Sequence, residues 1–346
     1  MRKEIGSEFW NTRYNEFILK NNLEYFENLG VDVKYLMSGR TSIDYILNDI
    51  DDLKKVVYMP EYCCNSMVQP FIDNGYSIKY YQVDLLNNKY YIDENFNCSL
   101  FFGMSYFGYD DSNMDFYIKK FKKRNVIVIE DITHRVFGKK NHCEESDYLI
   151  ASLRKWFPIY TGAIAVNKKC DFRTSIDNYT INEELVKYKK KAMQLKREYI
   201  NDININCKNI FLNLFNRSNQ LITDYKNKKM DEESLKILQT MDIEEIRKKR
   251  IYNSKIIEEN FVNSDDAKLL YNYKNGDCPI FVPIILKKRD YIRKKLIDNN
   301  IYCPIHWSNF NNFRNNIYAN ELSLICDQRY DENDMKREVK IILENI

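Results

Sequence analysis

Long hydrophobic runs are missing from this chain. No stretch of its 346 residues approaches the ~18 apolar residues of a membrane span. The opening M-R-K-E-I-G-S-E-F-W likewise lacks the apolar core of a secretory signal. A field of one sign is also missing: 53 Lys and Arg nearly cancel 50 Asp and Glu, leaving +3, so the charge balance attracts neither nucleic acid nor a membrane surface. The nine cysteines form no C-x-x-C pair and no Cys/His cluster at metal-ligand spacing, which excludes a stapled scaffold or a zinc site and suits reduced thiols. Cys63-Cys64 are too close in sequence to bridge each other, and His142-Cys143-Glu144-Glu145 offers too few ligands for a metal. Internal repeats, low-complexity tracts and flexible linkers are absent as well. These absences predict a cytoplasmic chain whose partners must be argued from its sites.

At 41.8 kDa the chain can bury the core of a large domain plus a smaller one. Val126 to Ile129 is a short β-branched apolar run of the kind that forms a parallel strand covered on both faces, and it ends in Glu130-Asp131. Residues just past such a strand lie at the carboxyl edge of a sheet, where α/β proteins bind ligands. A polar loop, Gly138 to Ser146, leads to a second apolar strand, Tyr148 to Leu153, which delivers Ser152 and Lys155 beside the first. Gly162 to Val166 reads as the strand that follows. A carboxylate at one strand end and an amine at the next is the pairing that pyridoxal phosphate chemistry needs. The lysine holds the cofactor aldehyde as a Schiff base, and the carboxylate keeps the pyridine nitrogen protonated so that the ring accepts electrons. Taken singly, Asp131 equally suits a helix N-cap and Lys155 a solvated lysine.

Upstream, Lys34 to Leu47 has an apolar lead-in, then S-G-R-T-S, then a helix-periodic run from Ile43. Gly39 permits close backbone approach and Thr41 and Ser42 start helices, so the exposed amides there make a phosphate seat. Val56 to Met59 is a strand stopped by Pro60 and followed by E-Y-C-C-N-S-M and a helix; Ser77 to Val83 and Ser99 to Met104 are further strands, the latter ending in S-Y-F-G, and Met114 to Lys123 is an amphipathic helix. The repeat of strand and helix predicts a mostly parallel sheet with helices on both faces. The cluster Lys119 to Arg124 suits a solvated helix C-terminus rather than a nucleic-acid patch. From Asn182 to about Asn260 there is no glycine, and the spacing predicts two or three long helices, the last spanning Ser234 to Phe261 and leading into a second domain. Ile280 to Ile285, Asp290 to Asp298, Ile301 to Trp307 and Met335 to Leu343 read as a small α+β domain, with Pro304-Ile305-His306-Trp307 nearest a ligand. Met1 to Gly30, with Phe9, Trp10, Tyr14, Phe17 and Tyr25 at loosely helical spacing, reads as an arm packed on the body or on a partner subunit.

In this order, S-G-R-T before a helix, P-E-Y-C-C after a strand, S-Y-F-G after another, and E-D-I-T-H followed by S-L-R-K resemble the fold-type I pyridoxal-phosphate enzymes. The closest resemblance is to the sugar aminotransferases of the DegT/DnrJ/EryC1/StrS family, over most of the chain. It implies an α/β fold like that of aspartate aminotransferase. An arm and a large cofactor domain with a helical extension would occupy 1–235, and a small C-terminal α+β domain 236–346. It implies pyridoxal 5'-phosphate as cofactor, an amino-acid donor such as glutamate, a keto-sugar nucleotide as acceptor, and a homodimer. Onto this chain it maps phosphate contacts to Ser38, Gly39, Arg40, Thr41 and Ser152, the pyridine-nitrogen partner to Asp131, a ring contact to His134 and the cofactor lysine to Lys155. Tyr62, Cys64 and Ser105 fall in the motifs that flank the ring, and Arg154, His306 and Arg329 are the candidates for an anionic substrate. The chain departs from the pattern at Arg40, where threonine is usual, and at Cys64, where many members carry the stacking aromatic. The interval from Ser152 to Lys155 is compressed, and the N-x-R-M segment is not recognisable between Asp171 and Asp242. Two alternatives stay open: another reaction on the same cofactor, such as a lyase or a cysteine desulfurase, and a non-catalytic binding protein of this fold.

Overall fold

A computed structural model describes residues 4–10, 22–110, 112–307, 309 and 317–346. The main sheet has eight strands: β2 (Asp32–Leu36), β3 (Val56–Pro60), β4 (Ser77–Asp84), β5 (Lys89–Tyr91), β6 (Leu100–Met104), β7 (Ile127–Asp131), β8 (Tyr148–Ala151) and β9 (Ala163–Asn167). They lie in the order β2-β9-β8-β7-β6-β3-β4-β5. The run from β8 to β4 is parallel, whereas β9 is antiparallel to both its neighbours and β5 to β4. Strand β7 is central, and four of its five residues are buried, as its unbroken apolar run requires.

Helices α1 (Asn22–Glu27), α2 (Gly39–Asp49), α3 (Asn65–Asp73) and α4 (Ser112–Lys123) belong to the first half of the chain. Then come α5 (Glu183–Ile200), α6 (Lys208–Leu221), α7 (Glu232–Thr240) and α8 (Ile243–Asn260). One core holds Ile43, Phe71, Phe102, Ile118 and Val128, and another holds Trp156, Leu149, Val166, Met193, Phe211 and Leu238. The sheet is thus covered on both sides by apolar helix faces.

Strands β10 (Ala267–Leu269), β11 (Val282–Leu286) and β13 (Glu321–Leu324) form an antiparallel sheet in the order β10-β11-β13. With α9 (Arg289–Asp298), α11 (Glu332–Leu343) and the end of α8 it encloses a third core around Ile257, Ile284, Leu296, Leu324 and Val339. The short strand β1 (Ile5–Gly6) pairs in parallel with β12 (Ile301–Tyr302), so the start of the chain is stitched to its last third. Helix α10 (Ile317–Asn320) leads into β13.

Three differences from the sequence expectations have local causes. The helix expected over Ser234 to Phe261 is two, because Met241 is extended and the Asp242 carboxylate caps α8 by accepting from Glu245 N–H at 3.0 Å. Together with α5 and α6 this makes four helices rather than two or three. The strand expected to reach Leu153 stops at Ala151, since the N–H groups of Leu153 and Arg154 turn to the carbonyl of Gly162, at 3.1 and 3.3 Å. Ile301 to Trp307 is a strand only over its first two residues, and Pro304, which has no N–H to give, lies just beyond. The arm residues Tyr14 and Phe17 lie outside the described residues.

Candidate active site

The site begins with the register of the main sheet. Asp131 stands opposite Met104 on one side and Ile150 on the other, so the ends of β6, β7 and β8 share one edge and Ser152 to Lys155 emerge beside Asp131. Alternation along β7 then separates two adjacent acids. Glu130 is fully buried on the far face, paired with Arg135 and accepting from Cys143 N–H at 2.9 Å and Ser146 Oγ at 2.6 Å. Asp131 faces a cavity of about 210 Å³, together with Ser38, Gly39, Arg40, Cys64, Thr133, Ser152, Arg154 and Lys155.

One Asp131 oxygen accepts from Thr133 N–H at 2.8 Å. Burial pushes this carboxyl above its ordinary range, while Thr133 and, more weakly, the Lys155 ammonium pull it back. A cationic partner arriving in the cavity would lower it further. Thr133 does a second job, accepting Ser152 N–H on Oγ1 at 2.9 Å, so one threonine ties the end of β7 to the end of β8. It sits within E-D-I-T-H, yet the sequence reading gave it no role.

Opposite Asp131 stands the N-terminus of α2. Ser38 caps it, its Oγ accepting from Thr41 N–H at 3.3 Å and lying 3.0 Å from Thr41 Oγ1. A Cβ at Gly39 would meet only Ser152 Cβ, at 3.6 Å, so packing does not demand glycine here; its absence keeps the space between α2 and Ser152 open. Arg40 donates to the carbonyl of Ile222 at 3.2 Å, and its guanidinium lies 5.7 Å from the ring centroid of Tyr225. The Nε atoms of Arg40 and Arg154 are buried with no hydrogen-bond partner among the described residues. Burial holds the Arg154 guanidinium below its usual range, partly offset by the Glu8 carboxylate.

Lys155 Nζ lies 3.4 Å from Nε2 of His134, and Nδ1 of His134 accepts from Phe107 N–H at 3.1 Å. Burial presses the His134 pKa well down, with Lys155 and His306 adding to it. The ring is therefore neutral, and its one proton sits on Nε2, facing Lys155. The S-Y-F-G turn sets this up. Gly108 has φ +88°, and a Cβ there would stand 2.2 Å from the Cys278 carbonyl oxygen and 2.8 Å from that of His134, so only glycine fits.

Arg154 and Lys155 also line a second cavity of about 440 Å³, walled by Ser7, Glu8, Phe9, Arg250, Arg293, Tyr302, Cys303, Asp327 and Arg329. Glu8 pairs with Lys189 at 3.3 Å, and that ammonium holds its carboxyl down at about 2. Arg329 is committed. It pairs with Asp327 at 2.7 Å, donates to the carbonyls of Ser7 and Glu8, and lies over the rings of Phe9 and Trp10, 4.3 and 4.7 Å from their centroids. No sequence signal marked Glu8 or Arg293 for this wall, because each arrives from a remote segment.

Ser38, Gly39, Arg40, Cys64, Asp131, Ser152, Arg154 and Lys155 thus meet around one cavity, with Thr41 behind the cap and His134 behind Lys155. The structure leaves Tyr62, Ser105 and His306 off that wall. Tyr62 packs among Tyr106, Trp307 and Tyr318, and the face of His134 lies near-parallel to Trp307 at 5.7 Å. Ser105 is buried, and His306 is held by Ser323. Cys64 Sγ bonds Ser66 Oγ at 2.9 Å.

No family model and no curated protein matches this sequence. Solved structures do. Helicobacter pylori PseC, an aminotransferase involved in the biosynthesis of pseudoaminic acid, superposes with a TM-score of 0.68 at 11% identity, over 99% of both chains. Bacillus subtilis NtdA with bound cofactor PMP gives 0.63 at 14% identity, over 98% of this chain and 79% of that one. A DegT DnrJ EryC1 StrS aminotransferase from Brucella abortus gives 0.61 at 13%, over 96% and 91%. The chain has the fold of these aminotransferases, in agreement with the resemblance read from its motifs.

Proposed function

We propose that this protein is a pyridoxal-phosphate-dependent aminotransferase that moves an amino group from an amino acid such as glutamate to a keto-sugar nucleotide. One observation carries the reading: an acid and an amine at the ends of adjacent parallel strands share a cavity whose other wall is a capped helix N-terminus. The residues fit the cofactor. Asp131 is a buried carboxylate without a cationic hydrogen-bond partner among the described residues, which a protonated ring nitrogen would supply. The α2 amides, Ser38, Ser152 and Arg40 and Arg154, whose Nε atoms have no partner among the described residues, suit its phosphate. When bound, the cofactor supplies the electron sink for reactions at the substrate α-carbon.

The chain's own residues do the rest. Lys155 presents its amine to the cavity and moves protons within reach of Nζ, while the uncharged ring of His134 backs it at 3.4 Å. Lys155 and Arg154 stand where the two cavities meet, so the larger one is the natural place for the substrate. Arg154 and Arg293 on its wall suit an anionic substrate, and the described part of the arm closes one side. A homodimer and the cytoplasm as compartment belong to the same reading.

Borohydride reduction of the protein loaded with pyridoxal phosphate, followed by peptide mapping, tests it. A pyridoxyl group on Lys155 is the expected result, and one on another lysine sinks the assignment. Screening amino donors and then keto-sugar nucleotides in half-reactions separates transamination from a lyase or desulfurase, because transamination leaves the amine on the cofactor.

A further inference from the structure

Four arginines line the larger cavity, and folding has already engaged two of them. Arg250 donates from Nε to Gln328 at 2.9 Å and from a terminal nitrogen to the Ile280 carbonyl at 3.0 Å, with its guanidinium 4.4 Å from the centroid of the Trp156 ring. Arg329 is held by Asp327 and the arm. The acids of the same wall are matched as well, Asp327 to Arg329 and Glu8 to Lys189. Arg154 and Arg293 remain. Arg293 is half-buried on α9, and its Nε donates to the Cys303 carbonyl at 3.3 Å. It makes no ion pair and no other hydrogen bond among the described residues. That one bond ties the guanidinium to the backbone just after β12 and leaves both terminal nitrogens for a ligand. A planar fork of this kind recognises a carboxylate through two hydrogen bonds at once.

We propose that Arg293 selects a dicarboxylic amino donor, its fork taking the side-chain carboxylate while Arg154, beside Lys155, takes the α-carboxylate. The proposal rests on the amino-donor reading above. A donor whose amine reacts beside Lys155 keeps its α-carbon near Nζ, and its α-carboxylate, one bond away, then falls to the neighbouring Arg154. With the smaller cavity given to the cofactor, the side chain has the larger one, about 440 Å³, to enter. Phe281, Pro304 and Ile325 on that wall suit methylene groups.

The separation of the two arginines favours this ligand. Arg154 comes from the turn after β8 and Arg293 from α9, so they stand on different units of the fold. Two carboxylates set apart by methylenes use both, whereas a diphosphate gathers its charge in one place. Glutamine has the shape of glutamate, but its amide turns an NH2 group towards N–H donors and brings no charge, so the same fork that welcomes the acid disfavours the amide.

The test uses full-length protein loaded with pyridoxal phosphate. Glutarate, which has both carboxylates and no amine, is expected to bind the parent about 10- to 100-fold more tightly than its monoamide in a calorimetric titration. Arg293→Met should lose that difference, and Arg293→Lys, which keeps the charge without the fork, should fall between. In single-turnover half-reactions the preference of kcat/KM for L-glutamate over L-glutamine should drop by the same factor in Arg293→Met, with the loss in KM for glutamate. An unchanged preference in a variant that binds pyridoxal phosphate like the parent overturns the proposal. So does a variant in which only the KM for a keto-sugar nucleotide rises, which would assign Arg293 to the acceptor. If glutarate binds through Arg293 yet no amino acid converts the cofactor to its amine form, the anion site stands and the aminotransferase reading fails.

Discussion

Asp131 shows how one side chain can be prepared for a partner. Its carboxyl is buried, raised by that burial, and hydrogen-bonded only by the uncharged Thr133 among the described residues, so it has more to gain from a cation than a solvated aspartate would. Replacing it by asparagine keeps the shape and removes the charge. Asp131→Asn is expected to keep binding pyridoxal phosphate in a fluorescence titration yet lose about 100- to 1,000-fold in the rate of amino transfer from L-glutamate. A variant as fast as the parent would remove Asp131 from the electron-sink role. Arg154 is the second such residue, a guanidinium at the join of the two cavities whose Nε has no partner among the described residues. Methionine there should weaken binding of the cofactor phosphate, of the substrate anion, or of both. Separate titrations with pyridoxal and pyridoxal phosphate will say which.

At the scale of elements, the described part of the N-terminal arm is a wall of the site. Gly6 N–H donates to the Tyr330 hydroxyl at 2.8 Å, and Lys196 donates to the Glu8 carbonyl at 2.5 Å beneath Trp10. Burial presses Lys196 down to about 7. The unfolded chain keeps that lysine protonated to about 10.4. Between these values the unfolded state binds more protons, so this lysine makes the fold more stable as pH rises from about 7 towards 10. The parent should accordingly gain in thermal midpoint between pH 7 and 9 relative to Lys196→Met. Equal shifts in the two proteins would show that Lys196 titrates normally.

At the scale of the whole molecule the arm closes a loop in the chain, since Ile5 pairs with Ile301 and Trp10 packs against Tyr330. Deleting residues 1–10 is expected to weaken substrate binding or dimerisation while leaving the cofactor's visible absorption intact. The full-length chain should sediment as a homodimer at micromolar concentration. A fully active monomer would rule out a site shared between subunits.

The sequence alone determined whatever depends on neighbours along the chain. Apolar runs that end in Glu130-Asp131 and lead to Ser152 placed the acid and the amine, and the S-G-R-T turn placed the helix N-terminus, because strand alternation and helix capping act over a few residues. The break between α7 and α8 escaped, since neither glycine nor proline marks Met241-Asp242. Only the tertiary structure decided the second cavity. Its members come from segments as far apart as Glu8, Lys155 and Arg329, and a strand-by-strand reading cannot tell which of two buried faces a polar residue will meet. Arg329 makes the point: the sequence offered a cation, and folding spent its fork on Asp327 and the arm, because burying a guanidinium costs less when a carboxylate and carbonyls take its donors.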